Sequence, residues 1–577
     1  VLAMDWKSQY QRWMSFPALD EELRQELEQI QHDPKKLAEC FAQPIEFGTG
    51  GMRGELGPGT NRMNRYTIRK ASEGLARYLL AEEQSMQKIT VVIAYDTRHQ
   101  SQEFALEAAK VITRHGIRVC LFERICPTPL LSYAVRHLRA SAGIVITASH
   151  NPPEYNGYKV YGPDGAQIAL DTTEKLMAHI KEIKDELTVA VATAEEIRQH
   201  GLLQMIGQDI FDSYFEQLKA MRPAAARKGA DLSIVFTPLH GTTLAYITEG
   251  LRQFGYKNVT IVQEQATPDP NFSQVVSPNP EEHQAFELAI KYAKQQDADL
   301  IFATDPDGDR LGVAIKDPAG EYTVLTGNQV GALLLYYILT MKRKTGMLPY
   351  RGAVIKTVVT SEMGRTIAAD FGQRTMDTLT GFKYIGEKIQ ELAITQEAVF
   401  IFGYEESCGY LLFDLVRDKD AVQTALIMAD ACATYQAEGK SLYQVLFSLY
   451  EKYGFYSETL VSLTMKGADG QQKINTILST LRSCPFSAVD GCAVVIIEDY
   501  LSKQRHHLLT GETSEITLPA SNMLKYLMAD ESWFAIRPSG TEAKMKVYFG
   551  VKGTSLEASK QKLERIKNHV MMHIENI

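Results

Sequence analysis

The chain has 577 residues, of which 45% are apolar and 23% charged, a globular composition that excludes disordered, collagen-like and low-complexity classes. At roughly 150 residues per domain, this length predicts about four domains. Lys and Arg number 61 against 70 Asp and Glu, a formal net charge of −9, which argues against a general nucleic-acid or anionic-membrane surface.

No apolar run approaches the roughly 18 residues of a membrane helix, and Val1–Tyr10 carries no secretory hydrophobic region. The seven cysteines (Cys40, Cys120, Cys126, Cys408, Cys432, Cys484 and Cys492) are odd in number and contain no Cys-x-x-Cys. Reduced thiols in a cytoplasmic protein are expected, not a disulfide framework or a zinc ribbon.

Along the chain, Asp20–Gln31 is rich in helix formers, with Leu23, Leu27 and Ile30 on one stripe, and predicts a helix. Phe47–Gly59 carries too many glycines for a helix or strand interior and predicts a loop. Beyond it, short apolar runs alternate with amphipathic stretches, which predicts βαβ units and mostly parallel sheets. Five apolar runs end in polar motifs: Val91–Ala94 before Asp96-Thr97-Arg98; Ile144–Ile146 before Thr147-Ala148-Ser149-His150-Asn151-Pro152; Leu300–Ala303 before Thr304-Asp305-Pro306-Asp307-Gly308-Asp309-Arg310; Val399–Phe402 before Gly403-Tyr404-Glu405-Glu406-Ser407; and Trp533–Ile536 before Arg537-Pro538-Ser539-Gly540-Thr541. Capping-box spacing places helix starts at Asp171/Glu174 and at Thr554/Glu557; the second opens a helix striped by Leu556, Leu563, Ile566 and Val570. Ligands of open α/β sheets bind beyond the carboxyl ends of strands, so several α/β domains are expected to offer one loop each to a shared cleft.

Asp305, Asp307 and Asp309 alternate within five residues around Gly308. Carboxylates this close repel unless a cation or basic group neutralises them, and a hard divalent cation, Mg²⁺ first, would do so. A solvated acidic turn is the alternative. The motif is not an EF-hand, because Arg310 and Lys316 occupy the positions of its Gly and Glu. Ser149 stands outside a Gly-x-Ser-x-Gly elbow, but its loop returns a cation at Lys159 through Asn156-Gly157-Tyr158-Lys159. A hydroxyl near a metal and a lysine suits phosphoryl transfer; a polar turn is the plainer alternative. Arg537, Ser539, Gly540 and Thr541 offer a guanidinium, two hydroxyls and open backbone, which suit a phosphate dianion; an ordinary turn is the plainer alternative. Glu405 and Ser407, with Glu406 between them, suit sugar hydroxyls. The Gly48–Gly54 segment enclosing Arg53 fits neither phosphate-loop consensus. Gly439-Lys440-Ser441 lacks the first Walker glycine, since Thr434 stands there. No aromatic–basic interleaving favours nucleic acid.

Taken in order, these motifs resemble the α-D-phosphohexomutase family, over roughly Phe47 to Tyr548. The Thr147–Pro152 and Asp305–Arg310 motifs are the most specific. Gly403–Gly409 is similar to the family's sugar-recognition loop, and Arg537–Thr541 to its phosphate-binding loop. The extended N-terminus and Thr380-Gly381-Phe382-Lys383-Tyr384 look most like the longer bacterial phosphoglucomutase branch. The resemblance implies an α/β fold of four domains around a central cleft, three related mixed α/β domains and a smaller α+β C-terminal one. The expected boundaries are 1–205, 206–324, 325–452 and 453–577.

The resemblance also implies a mutase interconverting glucose 1-phosphate and glucose 6-phosphate, with glucose 1,6-bisphosphate as intermediate and activator. Ser149 would be carried as phosphoserine, and Ser149, Asp305, Asp307 and Asp309 would hold Mg²⁺. Lys159 and His150 would be candidates for proton transfer, and Arg53 and Arg310 would stabilise the transferring charge. Lys383, Glu405, Ser407, Arg537, Ser539, Gly540 and Thr541 would bind the phosphosugar. Tyr404 separates Gly403 from Glu405, so the sugar loop is aligned by its Glu-x-Ser spacing, and Gly540 stands where some mannose-acting relatives carry Asn. The alternatives are phosphomannomutase or phosphopentomutase activity, glucose 1,6-bisphosphate synthesis, a phosphoserine-dependent phosphatase, or a non-catalytic phosphosugar-binding protein. Small phosphosugars are the expected partners, with no nucleic acid and no membrane.

Overall fold

The structure is a computed structural model that describes residues 5–48, 50–83, 89–223, 231–465, 470–539 and 544–577. The chain forms two compact units, one of Val1–Thr326, Ile385–Glu397 and Ser407–Ala437, the other of Gly327–Tyr384, Ala398–Glu406 and Glu438–Ile577.

The first unit opens with three helices, Trp6–Met14, Glu21–Gln29 and Pro34–Phe41. Each starts at an aspartate (Asp5, Asp20, Asp33) whose carboxylate accepts a first-turn N–H, satisfying a donor that the helix leaves open. Their apolar faces close on Trp13, Leu27 and Phe41 together with Tyr66, and the Trp13 indole donates to Glu186 at 2.8 Å.

Next comes a seven-stranded sheet in the order Phe47–Gly48, Gly51–Glu55, Tyr155–Tyr161, Ala142–Ile146, Thr90–Tyr95, Arg118–Phe122, Leu203–Ile206. The last four strands are parallel, and the first three run antiparallel to their neighbours. A five-stranded sheet repeats the plan. Leu300–Thr304 is parallel to Ile234–Thr237, which is parallel to Val259–Ile261, while Leu311–Lys316 returns antiparallel to Leu300–Thr304. In both sheets a fully buried parallel strand ends in a polar motif, and the chain doubles back antiparallel. The sheets are therefore mixed, not mostly parallel.

In the second unit Arg374–Thr378, Gly352–Thr357 and Val399–Glu405 form a parallel group. The C-terminal domain is an antiparallel sheet that runs Phe455–Thr464, Lys544–Gly553, Trp533–Pro538, Leu524–Met528, Cys492–Asp499. Helices Gly470–Ser483 and Leu556–Glu575 cover one face through Ile474, Leu478, Leu481, Ile566 and Val570. Val358, Val359 and Leu379 of the third domain pack on Tyr500, Trp533 and Tyr548 of this sheet, and the buried Lys525 ammonium donates to the Val358 carbonyl at 2.7 Å. The architecture is the expected one of three mixed α/β domains and an α+β C-terminal domain. Among the described residues no helix is long and apolar enough to cross a membrane.

Three local expectations are corrected. Within Phe47–Gly59, the Gly51–Glu55 segment is a strand paired with Tyr155–Tyr161, not a loop. Its glycine is required there because a Cβ on Gly51 would overlap the Tyr158 carbonyl oxygen. Asp171 lies inside the first turn of Leu170–Glu182, behind an Ala169 cap that makes no side-chain bond; it still faces the positive end of the helix dipole. The last helix is capped by Ser555, which accepts from the Ala558 N–H, one residue after Thr554. The strands before the sugar and phosphate loops also run on, to Glu405 and Pro538.

The hairpin gives a paired test. Gly51→Ala should lower stability by about 1–3 kcal/mol, because only backbone shifts relieve the overlap. Gly48→Ala, whose Cβ would lie 3.8 Å from its nearest neighbour, should stay within about 0.5 kcal/mol. Urea unfolding of both variants checks this.

Candidate functional site

Strand Ala142–Ile146 delivers Thr147-Ala148-Ser149, and Ser149 takes a left-handed backbone, φ +51°. A non-glycine residue holds that conformation only under constraint. Thr147 Oγ1 accepts the Ser149 N–H at 2.9 Å. The larger constraint is Arg98. Its Nη2 donates to the carbonyls of Ser149, at 2.5 Å, and of Asn151. Its Nη1 donates to those of Pro152 and Tyr155, at 2.8 and 2.9 Å. Nε lies 3.5 Å from the buried Asp96 carboxylate, and the guanidinium sits 5.1 Å from the Phe272 ring centre. Burial pushes the Asp96 carboxyl up, against the pull of Arg98.

The second loop follows strand Leu300–Thr304. Gly308 has φ +67°, and a Cβ there would meet Thr243 at 2.5 Å. Asp305, Asp307 and Asp309 are buried, and one oxygen from each can be chosen so that all three lie within 4.8 Å of one another. Asp305 Oδ1 accepts the N–H groups of Asp309 and Arg310, and its Oδ2 accepts the Ser149 hydroxyl at 2.8 Å. Asp307 Oδ2 takes Thr128 Oγ1 and Lys159 Nζ, both at 3.1 Å. Asp309 Oδ2 lies 3.2 Å from Lys419 Nζ and 4.0 Å from Lys159 Nζ. Asp307 Oδ1 and Asp309 Oδ1 are buried without a hydrogen-bond partner.

This donor set fits a hard divalent cation. Two carboxylates commit one oxygen to protein donors and leave the other orphaned in the interior, where an unmatched acceptor is unfavourable. Charge balance inside the cluster is uneven. Burial, then the charges of Asp307 and Asp309, push the Asp305 carboxyl well above its usual range. Burial acts upward on Asp307 too, but the Lys159 ammonium outweighs it and holds that carboxyl low.

His150 Nδ1 lies 3.3 Å from Ser149 Oγ. Burial, followed by the positive charges of Arg310 and Arg53, holds its imidazole well below the ordinary range, so the ring is neutral at pH 7. Arg53, on Gly51–Glu55, donates to Asn151 Oδ1 at 2.8 Å. Arg310 donates to Glu281 at 2.5 Å. The first unit thus brings together Ser149, His150, Lys159 and the three aspartates, with Arg53 on the strand Gly51–Glu55 and Arg310 at the end of the aspartate loop; Ser407 also belongs to this unit.

The second unit holds Lys383, Glu405, Arg537 and Ser539. Glu405 is buried at the end of its strand, while Glu406 Oε2 accepts from Thr357 and Thr360 hydroxyls at 3.0 and 3.1 Å. Lys383 Nζ sits 4.8 Å from the Tyr384 ring centre. Arg537 donates to the Tyr548 hydroxyl at 3.3–3.4 Å, and burial pushes that phenol up to about 12. The Ser539 N–H donates to the Lys544 carbonyl at 2.7 Å. Gly540 and Thr541 lie outside the described residues.

Sequence reasoning missed Thr128 and Lys419 and assigned Arg98 no role. Arg98 was signalled only by its place after a buried strand. Lys419 sits in the charged run Arg417-Asp418-Lys419-Asp420, 110 residues beyond Asp309, and nothing local marks its target.

The chain matches the three family models described as phosphoglucomutase/phosphomannomutase alpha/beta/alpha domains I, II and III, over residues 44–187, 212–320 and 326–453. It is 41% identical over 525 residues to a phosphoglucomutase of Staphylococcus aureus (strain USA300), covering 91% of this chain and 93% of that one. In fold it is similar to a phosphoglucomutase/phosphomannomutase family protein from Burkholderia thailandensis, at TM-score 0.67, 19% identity, and 92% and 97% of the two chains. It is likewise similar to the open form of the Paramecium phosphoprotein pp63/parafusin, at TM-score 0.66, 16% identity, and 92% and 95% of the two chains.

Arg98 provides the test of the serine loop. Arg98→Met leaves Asp96 buried and unpaired and should cost about 3–5 kcal/mol. Arg98→Lys keeps the charge but loses the planar fork and should cost less. Guanidinium denaturation of both variants measures the difference.

Proposed function

The chain belongs to the phosphoglucomutase/phosphomannomutase family, the α-D-phosphohexomutases, and on that premise we propose that it interconverts glucose 1-phosphate and glucose 6-phosphate with Ser149 as the phosphoryl carrier. It is an enzyme, a phosphotransferase acting as a mutase. The observation that carries the reading is the Ser149 hydroxyl, 2.8 Å from Asp305 beside two orphaned carboxylate oxygens. Simple binding of a phosphosugar needs no such hydroxyl.

In its working form Ser149 bears a phosphoryl group, about −1.5 to −2 in charge. Asp305, Asp307, Asp309 and Ser149 would hold Mg²⁺, which when bound supplies positive charge to offset both the phosphoryl oxygens and the carboxylates. The P–O bond to Ser149 breaks, a P–O bond to the free sugar hydroxyl forms, that hydroxyl loses its proton, and the Ser149 oxygen keeps the bonding pair and takes up a proton to become the free hydroxyl. His150, beside Ser149 Oγ, is one candidate to accept the sugar proton; Lys159, paired with Asp307, is the other. Arg53 and Arg310 add positive charge around the moving group. The glucose 1,6-bisphosphate then presents its other phosphate, and the transfer runs in reverse to restore phosphoserine. Glu405 and Ser407 would hold the sugar hydroxyls. Lys383, Arg537, Ser539, Gly540 and Thr541 would hold the phosphate that is not reacting. All seven cysteines are free, which fits a reducing, cytoplasmic compartment.

A phosphorus NMR time course tests the reaction. With Mg²⁺, glucose 1-phosphate and a trace of glucose 1,6-bisphosphate, a glucose 6-phosphate signal should grow without inorganic phosphate. Release of inorganic phosphate would favour a phosphatase instead. Ser149→Ala should abolish turnover while sparing phosphosugar affinity; turnover at the normal rate would sink the phosphoserine role. Chelation with EDTA should stop the reaction, and added Mg²⁺ should restore it.

A further inference from the structure

Two lysines reach the carboxylate cluster, and one strand governs both. On Tyr155–Tyr161, Lys159 and Tyr161 are two residues apart and share a face of the sheet. Lys159 acts directly, 3.1 Å from Asp307 Oδ2. Tyr161 acts at one remove. Its hydroxyl donates to Asp418 Oδ2 at 2.6 Å. The other oxygen of Asp418 accepts from Lys419 twice, from the backbone N–H at 2.8 Å and from the ammonium at 3.3 Å. The same ammonium lies 3.2 Å from Asp309 Oδ2. Tyr161 is fully buried, and Asp418 and Asp309 are 6% and 3% exposed.

Asp418 and Asp309 therefore share one ammonium, and the Tyr161 hydroxyl biases the sharing. A carboxylate with one oxygen fixed by a short hydroxyl bond has less negative charge to offer a neighbour and is not free to turn. Without that hydroxyl, Asp418 Oδ2 would be a buried acceptor with no partner. The carboxylate would then turn both oxygens towards Lys419 and draw the ammonium off Asp309. Asp309 Oδ2 would lose the nearer of its two ammonium contacts, keeping only Lys159 at 4.0 Å, and with it the aim of Oδ1. Partners behind a metal ligand commonly change cation affinity by about 10–100-fold. Burial and the Asp418 charge push the Tyr161 phenol far above its ordinary range, so it remains a donor.

We propose that Tyr161 is a positioning residue for the cation site: through Asp418 it holds Lys419 on Asp309 and so aims Asp309 Oδ1 into the cluster. This rests on the reading of the three aspartates as a divalent-cation site.

The test is a double-mutant cycle read by calorimetric titration of Mg²⁺ into the full dephosphorylated chain, using wild type, Tyr161→Phe, Lys419→Met and the double variant. Tyr161→Phe is expected to weaken Mg²⁺ binding about tenfold, and to change it less than twofold once Lys419 is absent. An equal effect of Tyr161→Phe in both backgrounds would overturn the proposal, since a purely structural tyrosine adds independently. So would wild-type affinity in Tyr161→Phe. Absence of Mg²⁺ binding by the wild-type chain would overturn the cation reading itself, and this inference with it. Should Tyr161→Phe fail to fold, Asp418→Asn replaces it in the cycle: coupling to Lys419→Met supports the relay, and additivity overturns it.

Discussion

Three carboxylates buried within five residues of chain impose the constraint on which the rest of the first unit depends. Each pair of ionised groups about 5 Å apart repels by roughly 3 kcal/mol at an effective dielectric of 20. Compensation comes from Lys159 of the first sheet, Thr128 of the helix Thr128–His137 and Lys419 after the third sheet, together with backbone N–H groups of the loop itself. Even so, two oxygens stay orphaned, and that unmet charge is what suits the cluster to a divalent cation.

The serine side of the site is organised by the opposite kind of charge. Arg98 is a buried cation whose donors are used on loop carbonyls, with Asp96 balancing it from behind. Its bonds go to backbone carbonyls, so its contribution is geometric: it holds Ser149 at positive φ with the hydroxyl facing Asp305. The two loops are built alike, each between a buried parallel strand and an antiparallel return strand. That arrangement lets the strand returning from the serine loop carry Lys159 to Asp307 of the other loop.

In the second unit buried charge joins the third and fourth domains. Lys356 is fully buried and contacts Glu362 and Asp377 at 3.1 and 3.2 Å, while Lys525 crosses from the C-terminal sheet to the Val358 carbonyl. With the apolar contacts of Val359 and Leu379 against Trp533 and Tyr548, this ties the strand that carries Arg537 to the domain that carries Glu405.

Local chemistry was legible in the residues themselves. Alternating aspartates around a glycine mark a charge cluster by type and spacing, because repulsion is a property of side chains a few residues apart, and the structure buries the three together. The strands before the polar motifs were legible too, since a run such as Ile144–Ile146 has no amphipathic alternative. The glycine-rich Gly51–Glu55 strand was not, because its fitness for pairing comes from the Tyr158 backbone pressed against it and not from its own propensity. The cap of the last helix shifted by one residue, from Thr554 to Ser555, because two neighbouring hydroxyls compete for the same open N–H groups. Which cation answers which carboxylate, that Arg98 grips the serine loop, and that Tyr161 reaches Lys419 through Asp418 were set by folding alone. Those contacts join residues up to some 260 positions apart, and electrostatic pairing follows distance in space, for which spacing along the chain is no guide.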